Sequence, residues 1–389
     1  MAVALAELLT LQRLVLHSFS HERTFDRPGA GVTALYRIEA LDQQGSRVRV
    51  YAGATTAPAA SGGPVLTTRL SGTCLFLWLH PHDPLLPDLA WALSPEDLAR
   101  DVFGTAEDPS GIRMRLTGYR PLRRAVVHAA GSRDSAFLKV LLPGQAEGLR
   151  RRHELLADSA VPAAALRRGP ADRSAVVLAP LEGTPLLRGL SSGGHGISPA
   201  DLTSLLDALP ESALGLTRRP AWAERARAYG GAAAALLPDR ETDIKDLVSG
   251  IDALVQGLDP GPVVPVHGDF YEGNLLAANG RITGVLDVDG LGPGHRVDDL
   301  ACFTGHLAVL AGIFPQSALR QEFPVFSTGF EAAAATAGSS AAALYARAAG
   351  VALSLVPGAR SGSLSRSVNA GIRLEAAAFL LARARQRAG

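Results

Sequence analysis

Three oxygen-bearing side chains, Asp269, Asn274 and Asp287, are spaced for a common site within one short stretch of this sequence, VVPVHGDFYEGNLLAANGRITGVLDVDGLGPGHRVDDLA, from Val263 to Ala301. Asp269 closes a His267-Gly268-Asp269 triplet, Asn274 follows, and Asp287 comes at the end of a later apolar run. Phosphoryl transfer from a nucleotide requires a carboxylate that accepts or orients a hydroxyl proton. It also requires oxygen donors, here an amide and a second carboxylate, that hold magnesium on the phosphates. Asp289, just beyond Asp287, is a candidate for the same metal shell if the strand continues, or else a solvated turn residue. Glu272, inside the loop, and His295, past it, are candidate substrate contacts. His267 reads as a packed, hydrogen-bonded histidine rather than a proton donor.

The flanking residues must bring these side chains together. Val263, Val264 and Val266 form a β-branched run suited to a buried strand. Leu275 and Leu276 open a second strand, Asn279-Gly280 is a hairpin turn, and Ile282 to Leu286 return as its partner. That return delivers Asp287 beside the loop holding Asp269 and Asn274. A plain hairpin with Asp and Asn in its turns is the ordinary use of such residues, but it would not fix so many positions at once.

Taken in order, His267-Gly268-Asp269, Asn274, Asp287, Gly294 and Asp299-Leu300-Ala301 resemble the catalytic loop and metal-binding hairpin of the aminoglycoside phosphotransferase and choline kinase superfamily. The resemblance implies an α+β, bilobal protein-kinase-like fold. It would have a small antiparallel β lobe, a mainly helical large lobe and, in this chain, an added N-terminal α+β cap module. It further implies ATP and Mg as cofactors, a small-molecule hydroxyl as acceptor, Asp269 as catalytic base, and Asn274 and Asp287 as metal ligands. Recognisable motifs run from about Arg115 to Ala301. The added module resembles the maltokinase and glucosamine kinase branch, although that branch commonly has glutamine in place of Asn274. Many aminoglycoside phosphotransferases end in an acidic, aromatic tail, whereas this chain ends in the basic LARARQRAG. A sugar or amino-sugar hydroxyl is therefore the expected acceptor, with an aminoglycoside antibiotic as the alternative. The rival of another class, an inactive kinase fold serving as a binding module, should have lost Lys139, Asp269, Asn274 or Asp287, and all four are present.

Three segments are expected: residues 1–108 as the cap module, 109–182 as the small lobe and 183–389 as the helical lobe. In the first, Ala34–Leu41 and Arg47–Ala52 read as a hairpin, Thr55–Gly63 as a small-residue loop and Cys74–Leu79 as a strand. His80-Pro81-His82-Asp83-Pro84 reads as a rigid surface loop, with a metal site as the weaker alternative. In the second, Ile112–Gly118, Ala125–Ala129 and Ala136–Leu141 are strands. Arg120 and Arg123 in the first turn either hold phosphate oxygens or are solvated. Lys139 interrupts an apolar strand, and the resemblance gives it the α- and β-phosphates. Glu154, on a helix over Ala146–Ala157, would be its ion-pair partner, with Glu147 in reserve. Leu181 lies in the implied hinge as a nucleotide contact. In the third, Asp298 or Asp299 is placed to cap the helix that begins there.

Composition limits the alternatives. A formal net charge of +1 gives no electrostatic case for nucleic acid or an anionic membrane surface. Two distant cysteines, Cys74 and Cys302, fit a reducing cytoplasm and no disulfide framework. The first residues read as an amphipathic helix rather than an export signal, and no uninterrupted stretch reaches membrane-spanning length. Arginine is abundant, yet Lys139 and Lys245 are the only lysines. Either one of these sites calls for a compact ammonium rather than a guanidinium, or, as the weaker reading, two lysines survive by chance.

Overall fold

The computed structural model describes residues 1–27, 31–58 and 65–389. Contacts divide the chain into two units, Met1–Arg150 with Ala165–Pro180, and Arg151–Ala164 with Leu181–Gly389. The last crossing falls between Pro180 and Leu181, inside the segment expected to be a hinge.

The first unit opens with α1 (Ala2–Thr10) and a five-stranded antiparallel sheet. Its strands are β1 (Val15–Arg27), β2 (Gly31–Leu41), β3 (Arg47–Thr55), β4 (Val65–Leu70) and β5 (Thr73–Leu79), in the order β1-β2-β3-β5-β4. Leu5, Leu8 and Leu9 of α1 bury against Ile38, Ala40, Ala52 and Leu77 of the sheet. The N-terminal helix ends at Thr10, and from Val15 onward the chain pairs with β2, from Val15↔Leu41 to Arg27↔Gly31. Asp42 Oδ1 accepts from the amides of Gln44 and Ser46 and so closes the expected β2–β3 hairpin. Of the loop expected over Thr55–Gly63, residues 59–63 lie outside the described residues.

Two short helices, α2 (Leu89–Ala92) and α3 (Pro95–Leu98), lead to a second antiparallel sheet. Ser94 caps α3, its Oγ accepting from Asp97 N at 3.2 Å. The sheet runs β6 (Arg113–Arg120), β7 (Arg124–Ala130), β8 (Ser135–Leu141) and β9 (Ala175–Leu178), with α4 (Ala146–Ala157) between the last two strands. Alternate side chains of a strand face opposite ways. Ala125, Val127, Ala129, Ala136, Leu138 and Val140 therefore share one core with Leu86, Leu89, Trp91, Leu98 and Val102. This core spans residue 108, so the boundary expected there cuts it. Residues 86–102 pack with the β6–β9 sheet because they bury its apolar face. Asp88 fastens the same packing, its carboxylate accepting from Ser174 N at 2.7 Å and from Arg173 at 3.0 Å.

The second unit is mainly helical. It contains β10 (Thr184–Pro185), α5 (Leu186–Ser192), α6 (Pro199–Asp207), α7 (Ala226–Leu236) and α8 (Glu241–Gly257). Next come β11 (Val263–Val266), β12 (Leu275–Ala278), β13 (Arg281–Val285) and β14 (Gly292–His295). It ends with α9 (Arg296–Ile313), α10 (Leu319–Thr336), α11 (Ala341–Leu355) and α12 (Arg366–Ala388). Ser198 and Asp201 form a reciprocal capping box at the start of α6. Contrary to expectation, Ala341–Gly358 is long and apolar enough to span a membrane by length and composition. It is mostly buried inside this unit as a core helix, and its Arg347 forms an ion pair with Asp298. The α+β composition, a small antiparallel sheet and a mainly helical unit, is that expected of the protein-kinase-like fold.

Candidate active site

Chain order and hydrogen bonding in the second unit build the site. β12 and β13 pair from Leu275↔Val285 to Ala278↔Arg281. Asn279 and Gly280 both have positive φ, 52° and 70°, as a two-residue hairpin turn demands. At the other end, Leu286 N donates to Asn274 O at 2.8 Å, which sets Asn274 next to Asp287. Asn274 Nδ2 donates to Asp269 O at 2.9 Å and approaches Asp269 Oδ2 at 3.4 Å. Asp269, Asn274 and Asp287 are thus gathered at one end of the hairpin, as the sequence predicts.

The loop carrying Asp269 is held from three sides. His267 is buried, with Nε2 2.9 Å from Leu286 O and Nδ1 accepting from Asp269 N at 3.3 Å. Burial lowers its pKa, so it is the neutral structural histidine expected. Gly268 has φ of 80°, and a Cβ there would sit 2.8 Å from Gly290 O, so glycine alone fits. Phe270, 1% exposed, packs at 6.2 Å between ring centroids on Phe303, which in turn meets Phe326 at 5.2 Å.

Asp299 does not cap α9 as expected. It lies within the helix, whose N-cap position is His295, and its carboxylate instead grips the loop that carries Asp269. Oδ2 accepts from His267 N at 2.7 Å and Oδ1 from Gly268 N at 2.8 Å. Burial pushes its pKa up to about 6 despite those two donors.

Beneath the loop lies a group of buried residues. Glu272 is only 2% exposed, and burial pushes its pKa up to about 8. Its Oε1 is 4.0 Å from Nδ1 of His306, too far for a hydrogen bond. His306, whose pKa burial lowers to about 3, stacks on Tyr271 with 4.0 Å between centroids. Cys302 Sγ lies 4.0 Å from Asp269 Oδ1. Glu272 is therefore packed under the loop, whereas a substrate-contacting side chain would be accessible.

Other candidates separate in the same way. The strand stops at Val285, Asp287 takes the left-handed conformation (φ 56°), and Asp289 falls on the short helical turn Val288–Gly290. Its charge acts on Arg152, the buried α4 residue whose Nε donates to Leu291 O at 3.0 Å. Arg152 could not be singled out from the run Arg150-Arg151-Arg152, because only the helix phase decides which arginine points inward. His295 pairs with Val263, at the far end of the ladder from Val266, and its Nδ1 lies 2.9 Å from Gly261 O. That is about 10 Å of strand away from the loop that carries Asp269.

In the first unit, Lys139 is 8% exposed. It lies between Val126 and Val176 on the sheet face opposite Leu138 and Val140. Lys245 is a surface residue, its side chain 71% exposed and paired with Glu241. Arg120 and Arg123 are exposed on either side of the buried Pro121 and Leu122 at the β6–β7 turn. Glu154 is exposed on α4 and pairs with Arg151 at 3.5 Å, while Glu147 is likewise exposed. Leu181, half-buried, packs near Gly284 in the second unit.

Comparison with known sequences decides the family. The profile described as "phosphotransferase enzyme family" matches residues 117–323, more than half of the chain, including the whole Asp269 loop and the β12–β13 hairpin. The chain belongs to the phosphotransferase enzyme family. It is accordingly an ATP-dependent phosphotransferase acting on hydroxyl groups. Solved structures to which it is similar include a macrolide 2′-phosphotransferase from Brachybacterium faecium, at 19% identity and a TM-score of 0.44, covering 76% of this chain and 97% of that one. Another is a choline kinase from Cryptosporidium parvum, at 10% identity and a TM-score of 0.47, covering 76% of this chain and 94% of that one. No curated protein matches the sequence. For a family phosphotransferase, Asn274 and Asp287 offer the hard oxygen donors that magnesium prefers, so this pair fits that ion.

Proposed function

We propose that this phosphotransferase moves the γ-phosphoryl group of ATP to a hydroxyl of a sugar or amino sugar. The observation that carries the reading is the linkage of Asn274 to both Asp269 (2.9 Å) and the residue before Asp287 (2.8 Å). Asp269 accepts the proton of the acceptor hydroxyl as its oxygen attacks phosphorus, and the Asn274 amide group fixes the orientation of the loop that presents it. Asn274 and Asp287 are the residues that would hold magnesium. When bound, the ion supplies positive charge to the phosphate oxygens. Lys139 contributes an ammonium for the α- and β-phosphates, and Arg120 and Arg123 contribute guanidinium donors from the β6–β7 turn.

The acceptor class rests on the resemblance of the N-terminal module to the sugar-kinase branch. The free thiols of Cys74 and Cys302 accord with work in a reducing cytoplasm.

Magnesium-dependent ATP consumption by wild type and Asp269→Asn tests the reading with maltose, glucosamine, other amino sugars, choline and aminoglycosides. Turnover stimulated by a sugar and lost in the variant is expected. Stimulation by aminoglycosides alone would replace the acceptor class, and absence of Mg-ATP binding would end the kinase assignment.

A further inference from the structure

The run His80-Pro81-His82-Asp83-Pro84 has no place in the mechanism above, and among the described residues no three His, Cys, Asp or Glu side chains gather as a metal site. Its aspartate does something else. Asp83 is 2% exposed and lies at the end of the segment following β5. One oxygen, Oδ2, accepts from Tyr119 Oη at 2.8 Å and from Leu122 N at 2.8 Å. The other, Oδ1, accepts from Leu85 N at 3.0 Å. Burial keeps Tyr119 protonated, its pKa raised well above the ordinary value, so the phenol is the donor.

Tyr119 lies near the end of β6, and Leu122 lies in the β6–β7 turn that follows it. Arg123 N donates to Arg120 O at 3.0 Å, with Pro121 and Leu122 between them. Leu122 has φ of 61°. A tight turn with proline second and a positive φ third is type II, and that third position favours glycine or asparagine. A leucine there is strained for a residue carrying a side chain. Here that side chain is buried at 3% exposure, and its amide is the group Asp83 holds. The turn therefore keeps an unfavourable backbone conformation through an anchor 39 residues earlier in the chain. Arg120 and Arg123, on either side, are exposed.

We propose that Asp83 is a positioning residue for nucleotide binding. It fixes the β6–β7 turn so that Arg120 and Arg123 meet the phosphates without first ordering the loop. The inference rests on the kinase reading above and gives the segment after β5 a function within it. Binding to a preformed turn spares the ordering cost that a loose one would incur.

The test is direct Mg-ATP binding by calorimetry, which needs no acceptor, on the full chain as wild type, Asp83→Asn and Tyr119→Phe. Asp83→Asn should weaken nucleotide affinity about five- to twentyfold, and Tyr119→Phe about two- to fivefold, as expected for loss of charged and single hydrogen bonds. With an active acceptor, the nucleotide KM should rise by those factors while kcat and the acceptor KM hold. Wild type that does not bind Mg-ATP defeats the kinase reading and this inference with it. Wild type that binds, with both variants binding equally well, overturns the role of Asp83 alone. If Asp83→Asn no longer melts cooperatively, Tyr119→Phe decides, because it leaves the Leu122 bond in place. Unchanged affinity in that variant overturns the proposal.

Discussion

Asp299 holds the loop that carries Asp269 by its backbone, its two carboxylate oxygens accepting from the amides of His267 and Gly268 at 2.7 and 2.8 Å. The loop conformation that presents Asp269 thus depends on a helix that begins 27 residues further along the chain, at Arg296. Asparagine at 299 keeps the shape but offers one acceptor and one NH₂ group, leaving a buried amide facing a donor. An unsatisfied buried donor costs about 1–3 kcal/mol. Asp299→Asn should therefore lower unfolding free energy by about 2 kcal/mol in urea titrations. It should also lower kcat by about 10- to 100-fold through displacement of Asp269. A variant with wild-type stability would show that the two hydrogen bonds do not hold the loop.

Glu272 makes a second, pH-dependent prediction. Its ordinary value is 4.5, and in the folded protein burial raises it to about 8. The groups around it offer no counter-charge. His306 stays neutral down to about pH 3, Tyr271 and Cys302 are shifted upward by burial, and Asp269 adds negative charge. Below pH 4.5 both folded and unfolded states carry the proton and stability is fully present. Between 4.5 and about 8 the unfolded chain ionises while the folded one does not, so stability falls by about 1.4 kcal/mol per pH unit from this group. Above pH 8 the loss is complete. Glu272→Gln cannot ionise, so its advantage over wild type should grow from pH 5 to pH 8 and then level off. Urea titrations across that interval read it directly, and an offset independent of pH would contradict it.

Legibility in the sequence followed the range of the interactions. The Asn279-Gly280 turn and its strands were readable because positive φ and alternation are local demands, met by residue type alone. Helix α4 was readable over Ala146–Ala157 for the same reason. Strand β1 was not, because its apolar residues also suit a helix and only pairing with β2 decides. The core running from Leu86 to Val177 was equally hidden, since the sheet face it covers becomes visible only once the strands are in register. Among site residues, Asp269, Asn274 and Asp287 carry their spacing in the sequence. The anchoring roles of Asp83 and Asp299 involve contacts 39 and 32 residues away, for which aspartate leaves no local signature. Glu272 misled because charged residues are almost never buried without a partner.

The two lysines offer the last test. Lys245 is exposed and makes a single surface ion pair with Glu241, a contact arginine can make equally well. Lys139 is 8% exposed inside a strand flanked by Val126 and Val176, where a larger planar guanidinium must displace its neighbours or turn away. In a chain otherwise rich in arginine, the buried site is therefore the one where the smaller cation matters. Lys245→Arg should leave stability and Mg-ATP affinity within about 0.5 kcal/mol of wild type. Lys139→Arg should retain a cooperative melt but weaken Mg-ATP binding by about tenfold or more, the equivalent of one charged hydrogen bond lost. Calorimetric titration of both variants makes the comparison. Equal affinities in the two would remove Lys139 from the nucleotide site and leave the survival of lysine there without a chemical reason.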